Sequence, residues 1–322
     1  MGRRQSITTV LRYLAPNLIT MSSMVFGLVS LWSAAHGNAP LAAWLIIYAV
    51  LTDRLDGLVA RAMKATSELG MQLDSFADFL NFGVAPAYLV LSYISSRHEP
   101  ELAFYQDGSG RILLFAACAA YMLCAVFRLA RYNILADDEV PTKIFFGVPT
   151  TLAGGLIAIW ILLFLKYSPD ESFGGAKLFG DSLVTPIAVW RYMPIALVVG
   201  GYLMASRLPM PKVGMTKNKV VFVLLFACLA TGYVCGFAMH YPEICFWMPT
   251  AWAVVFLIWG QASPRARAMY PPPLFPKRSV NGDKTRSQED MPDLVLDESV
   301  ATSPGTLPAV PKESESDSES ES

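Results

Sequence analysis

Apolar stretches of about twenty residues recur along this chain, and each is long enough to cross a hydrocarbon layer as a helix. Length and flanking residues mark them at 17–36, 40–63, 71–96, 110–133, 148–167, 187–206, 217–238 and 244–262. A segment in lipid must satisfy its own backbone hydrogen bonds, so each stretch is expected to be helical. Hydrophobic residues make up 54% of the chain and charged residues 16%, whereas an ordinary soluble domain carries about 25% charged residues. The expected fold class is all-α: a polytopic transmembrane helix bundle of about eight spans.

The cations between the stretches set the orientation. Arg3, Arg4 and Arg12 precede the first stretch, and Arg61 and Lys64 follow the second. Arg128, Arg131 and Lys143 lie near the fourth-to-fifth connection, and Arg207, Lys212, Lys217 and Lys219 lie in the sixth-to-seventh. Arg265, Arg267, Lys277 and Arg278 follow the eighth. Alternate connections, around Gly37 and between His240 and Glu243, carry none, and Lys177 is balanced by Asp170, Glu171 and Asp181. The positive-inside rule then places both termini on the cytoplasmic side. The first apolar stretch is long and no small-residue cleavage site ends it, so no cleavable signal peptide is expected; with no eukaryotic targeting signal in view, a bacterial inner membrane is the expected location.

Three regions follow from this reading. Residues 1–16 intersperse arginines with Ile7, Val10, Leu11 and Leu14, which suits a short amphipathic helix on the membrane surface. Pro16 fits the N-terminus of the first span. Residues 17–262 form the transmembrane domain. From Ser263 the chain turns polar, and Pro271 to Pro273 break any helix. The tail 263–322 ends in alternating serine and acidic residues and is expected to be disordered and cytoplasmic. The five cysteines lie in apolar segments without metal-like spacing, which suits small buried hydrophobes. No nucleic-acid partner is expected of such a chain.

Asp53, Asp56, Asp74 and Asp78 interrupt this apolar background. Each costs roughly 2.5–3.5 kcal/mol to insert at a helix centre, so an intramembrane carboxylate implies function. On a helix, Asp53 and Asp56 lie about 60° apart, with Gly57 and Ala60 on the same face and Arg61 at its border. Gly70, Asp74 and Asp78 follow at i, i+4 and i+8, again on one face. Two facing helices would bring the four carboxylates together. An acid-only ligand set suits Mg²⁺ or Mn²⁺ and not zinc. The small residues leave room for a ligand, and Arg61 offers a fork for phosphate oxygens. The chemistry indicated is metal-assisted phosphoryl transfer at a membrane boundary.

The stretch Asp53-Arg-Leu-Asp56-Gly57-Leu-Val-Ala60-Arg61, followed by Gly70, Asp74 and Asp78, matches D-x-x-D-G-x-x-A-R-x8-G-x3-D-x3-D in full. The chain thereby resembles the CDP-alcohol phosphatidyltransferase family. The stretches Phe82-Gly83-Val84-Ala85-Pro86-Ala87, Phe127-Arg128-Leu129-Ala130-Arg131-Tyr132-Asn133 and Gly147-Val148-Pro149 are similar to those of the membrane-spanning phosphatidylserine synthases within it. The likeness runs from about Pro16 to Pro149. After Pro149 the chain reads Thr150-Thr151, where many relatives have a further proline and small residues.

This resemblance implies transfer of the phosphatidyl group from CDP-diacylglycerol to L-serine, with release of CMP. It implies two divalent ions, Mg²⁺ or Mn²⁺, on Asp53, Asp56, Asp74 and Asp78, with Asp78 as general base toward the serine hydroxyl. It implies that Asn17, Thr20, Gly57, Arg61, Ser67 and Gly70 bind the CDP-lipid, and that the protein is a homodimer. Arg128 or Arg131 is the candidate clamp for the acceptor carboxylate; snorkelling cations at a span end are the plainer alternative. For Asn17, Thr20, Thr66 and Ser67, ordinary capping is the plainer alternative. Pro86 within an apolar helix implies a kink.

Other readings stay open on the sequence. The acceptor could be glycerol 3-phosphate, inositol phosphate or choline. The chain could be a non-catalytic scaffold, or a cation transporter, which would hold its carboxylates nearer the bilayer midplane. His36, His98 and His240 fall in expected loops on the opposite side, and the turn at Asp137, Asp138 and Glu139 reads as solvated.

Overall fold

The first helix of the computed structural model, α1 (Ile7–Ala35), runs without interruption through Pro16. The structure describes residues 7–63, 67–136, 144–169, 173, 176–211 and 219–262. The expectations for Arg3, Arg4, Thr66, the acidic turn at Asp137 and the tail from Ser263 fall outside these residues, as does the side chain of Arg61. The uninterrupted α1 corrects the expectation that Pro16 begins a span after a separate surface helix. Pro16 removes one intrahelical donor but does not end the helix, which continues on both sides of it.

α1 ends in a turn at Gly37, and the Asn38 side chain accepts from the Leu41 backbone N–H at 3.2 Å to start α2 (Ala39–Met63). α1 and α2 pack along their length on Ala42, Ala43 and Ala49, all fully buried. Small residues let helix backbones approach closely where lipid offers no hydrophobic drive to pair them. Ser30 adds an interhelical hydrogen bond to the Ala42 carbonyl at 2.8 Å.

The third apolar stretch is one continuous rod in three parts. α3 (Glu68–Asp78) passes into a π-helical turn, Phe79–Val84, and then into α4 (Ala85–Ser96). Pro86 sits in the first turn of α4 and, having no N–H, leaves the Phe82 carbonyl without a regular α-helical donor. The expected irregularity is thus a π turn just before the proline, and it begins one residue after Asp78.

α5 (Gly108–Ala136) carries Arg128 and Arg131, and α6 (Thr150–Lys166) starts with the two threonines. α6 crosses the π turn at Gly154, where a Cβ would lie 2.7 Å from Phe82 Cβ and 2.8 Å from its Cα, so only glycine fits this crossing. α7 (Met193–Ala205) packs on α5, α8 (Lys219–Ala238) on α2, and α9 (Pro242–Ala262) on α6 and α8.

The fold departs from a purely helical one at a single described place. Two three-residue strands, β1 (Ile144–Phe146) and β2 (Pro209–Pro211), pair antiparallel, with Phe145 opposite Met210. Prolines 209 and 211 hold β2 extended. Gly147 follows β1 at φ 81°, with the Met204 and Ser206 carbonyls pressed against it.

Five helices among the described residues are long and apolar enough to cross a membrane: Leu14–Ala35, Glu68–Ser96, Gly108–Asn133, Ile187–Ala205 and Pro242–Ala262. The Thr150–Lys166 helix is apolar but shorter. α2 has the length, but Asp53, Arg54, Asp56 and Arg61 occupy its second half.

Candidate active site

α2 and α3 bring the carboxylates of the signature together as expected, with oxygens of Asp53, Asp56 and Asp74 within 4.8 Å of one another. α1 packs against both helices beside them. Thr20 is its contact to one half. The Thr20 hydroxyl is 2.7 Å from Asp56 Oδ2 and 3.1 Å from the Pro16 carbonyl. Asn17, one turn earlier, is its contact to the other half. A Cβ on Gly70 would lie 3.0 Å from Asn17 Oδ1 and 3.1 Å from Ser67 Oγ. Gly70 therefore leaves the room that Asn17 and Ser67 fill.

Ser67 is the N-cap of α3 and accepts from the Gly70 backbone N–H at 3.0 Å. This is the plainer of its two sequence readings, and it uses only the acceptor side of the hydroxyl.

Asp53, Asp56 and Asp74 each offer an oxygen within 4.8 Å of the others. Asp56 is buried, and Asp53 and Asp74 are partly exposed. Gly57 follows Asp56 on α2 and is half-buried. Asp78 approaches the cluster through Asp53, whose carboxylate also meets the Thr151 hydroxyl. The Oδ1 of Asp78 is buried and has no hydrogen-bond partner among the described residues. A buried carboxylate oxygen without a partner, beside three more carboxylates, is electrostatically unstable alone. A divalent cation fits this donor set, because it supplies opposite charge and accepts oxygen ligands.

Arg128 and Arg131 share α5 but have different partners. Arg131 donates to the carbonyls of Phe146 at 2.7 Å and of Ala205 and Ser206 at 3.0 Å each. It fastens β1 and the end of α7 to α5. These carbonyls engage both terminal nitrogens of its fork. Arg128 is buried, and its Nη1 donates to Thr150 Oγ1 at 2.7 Å. Its Nε has no partner among the described residues, and its charge acts on Asp78.

Several residues here escaped the sequence reading. Asn133 donates to Ser75 Oγ at 2.9 Å, tying the end of α5 to the residue beside Asp74. Thr150 and Thr151 were visible only as a departure from a pattern. Asn81 is fully buried and donates to Ser23 at 3.3 Å. A lone Asn or Thr in an apolar helix carries no spacing signal, so only its partner across the bundle reveals its use.

The geometry agrees with two comparisons. The profile of the CDP-alcohol phosphatidyltransferase family matches residues 13–200, which run from within α1 to within α7. Three similar proteins share the name CDP-diacylglycerol–serine O-phosphatidyltransferase. That of Helicobacter pylori strain 26695 is 32% identical over 223 residues, covering 69% of this chain and 82% of its own. That of Bacillus subtilis strain 168 is 34% identical over 155 residues, 48% of this chain and 77% of its own. That of Methanocaldococcus jannaschii is 30% identical over 224 residues, 69% and 85% respectively. With an aspartate cluster at the signature positions and a profile match across more than half its length, the chain belongs to the CDP-alcohol phosphatidyltransferase family.

Proposed function

We propose that this protein transfers the phosphatidyl group of CDP-diacylglycerol to L-serine, giving phosphatidylserine and CMP. The observation that carries the reading is the cluster of Asp53, Asp56 and Asp74 with the unpartnered Asp78 oxygen behind it. The names of the similar proteins support serine as the acceptor.

Asp53, Asp56 and Asp74 would hold divalent cations, Mg²⁺ or Mn²⁺, with Asp78 sharing one. Bound there, the cations would neutralise the diphosphate and the charge that develops on the leaving group. Thr20 holds the Asp56 carboxylate in place. Asn17, Gly57, Arg61, Ser67 and Gly70 bind the CDP moiety. Asp78 accepts the proton of the serine hydroxyl as its oxygen attacks the phosphorus bearing the diacylglycerol. The bond from that phosphorus to CMP breaks in the same displacement. Arg128 pairs with the serine carboxylate, and the lipid tails stay in the bilayer.

The membrane reading that accompanies this chemistry has eight spans, a cytoplasmic site and termini, a bacterial inner membrane and a homodimer. It rests on the positive-inside distribution and on the family resemblance.

The test uses full-length protein in detergent with CDP-diacylglycerol, Mn²⁺ or Mg²⁺ and labelled serine, following CMP and lipid product together. Serine-dependent phosphatidylserine that disappears with chelator is the expected result. Asp78→Asn should lower turnover by about 10²–10⁴-fold. CMP release with another alcohol and none with serine would remove the acceptor assignment and keep the family chemistry.

A further inference from the structure

The first turn of α6 touches both sides of the site. Thr150 accepts from Arg128 Nη1 at 2.7 Å, and the next residue, Thr151, meets the Asp53 carboxylate. Thr150 is fully buried, so water does not compete for its hydroxyl. Pro149 precedes it as the helix cap, with φ −55°, and fixes where the turn begins. An arginine side chain has several rotatable bonds, and a buried one needs partners that choose among its rotamers. Here the hydroxyl of Thr150 occupies one terminal N–H of Arg128. The Nε–H stays unpartnered in the interior, and the charge acts on Asp78, whose Oδ1 is also unpartnered. Two orphaned groups of opposite charge, beside the aspartate cluster, match a small zwitterion that brings a carboxylate and a hydroxyl together.

We infer that Thr150 is a positioning residue that aims Arg128 at the carboxylate of the amino-acid acceptor, and so sets the affinity for that acceptor. This rests on the serine-transferring reading above. Thr150 touches no reacting atom. It acts through Arg128, and its neighbour Thr151 keeps the same helix turn in register with the metal-binding carboxylate of Asp53.

The test is steady-state kinetics of full-length wild type, Thr150→Val and Thr150→Ser in detergent with saturating Mn²⁺. Serine and CDP-diacylglycerol are varied separately. Valine keeps the shape and removes the acceptor oxygen. Thr150→Val is expected to raise the serine KM about tenfold or more, with the CDP-diacylglycerol KM unchanged, and Thr150→Ser is expected to restore the wild-type serine KM. Should valine not be accommodated, Thr150→Ala, which is smaller than the native residue, carries the same expectation. An unchanged serine KM in a folded Thr150→Val or Thr150→Ala protein would overturn the proposal and leave the serine reading intact. A serine variant as impaired as valine would also overturn it, since a hydroxyl would then not be what matters. Wild-type protein that uses another alcohol and not serine would instead sink the functional reading, and this proposal with it.

Discussion

Tyr121, fully buried on α5, donates its hydroxyl to the Phe82 carbonyl at 2.8 Å. Phe82 stands four residues before Pro86, so in a regular helix its carbonyl would await an N–H that proline lacks. The tyrosine satisfies this carbonyl from a neighbouring helix, in a place where no water reaches it. The π turn it supports starts immediately after Asp78.

Removing that hydroxyl should therefore be felt at the site. Tyr121→Phe leaves a buried carbonyl short of one partner, which costs about 1–3 kcal/mol. The expected outcome is a lower melting temperature in detergent with a drop in turnover. A variant with wild-type stability would mean that the π turn satisfies the Phe82 carbonyl by itself.

Thr20→Val tests the hold on Asp56. The hydroxyl lies 2.7 Å from a carboxylate oxygen in the proposed ligand set. Losing such a supporting contact typically weakens metal binding by about 10–100-fold. Mn²⁺ titration of activity should show a higher half-saturating concentration, with much of the turnover recovered at excess metal. If added metal restores nothing, Thr20 serves the CDP-lipid and not the ions.

Gly154→Ala should destabilise the bundle by about 1–3 kcal/mol through overpacking. The new methyl would meet the Phe82 backbone, which cannot swing aside as a side-chain tip can. Thermal unfolding with and without lipid measures this directly. Gly232→Ala is a control of opposite expectation, because among the described residues nothing lies within 4 Å of the Cβ it would add.

At the far end of α6, Lys166 and Glu243 form a buried ion pair at 2.8 Å, and Tyr167 donates to the same carboxylate. α6 has 17 residues, so this pair lies about 25 Å along the helix from Thr150. Breaking it on one side, as in Glu243→Gln or Lys166→Met, should cost about 3–5 kcal/mol by leaving a buried charge alone. The double change Lys166→Met with Glu243→Leu should cost less than either single one. Turnover per folded molecule should be unaffected in all three, and a specific loss of kcat would show that this end of the bundle matters for chemistry.

The helical character and the aspartate signature were legible without coordinates because both are periodic. Apolar stretches of bilayer length force helices, and Asp53, Asp56, Asp74 and Asp78 repeat at helical spacing. Pro16 was misread because a proline's effect depends on whether tertiary contacts carry the helix past it, and no local pattern states that. Arg128 and Arg131 looked equivalent, three residues apart on one face. Their partners come from β1, α6 and α7, which lie far away in sequence, so nothing near them separated the two.

The sequence by itself determined that the chain is a bundle of apolar helices, that it carries a family signature, and that four carboxylates lie on two helical segments. Those properties follow from hydropathy and from the 3.6-residue period, which are local. Tertiary structure alone decided that α1 packs against both of those segments, with Asn17 beside Gly70 on one and Thr20 on Asp56 of the other. It also decided that Arg131 secures a strand pair while Arg128 remains partly unpartnered beside Asp78. Hydrogen-bond partners in a membrane bundle are chosen across helices, and which helices are neighbours depends on packing between residues distant along the chain.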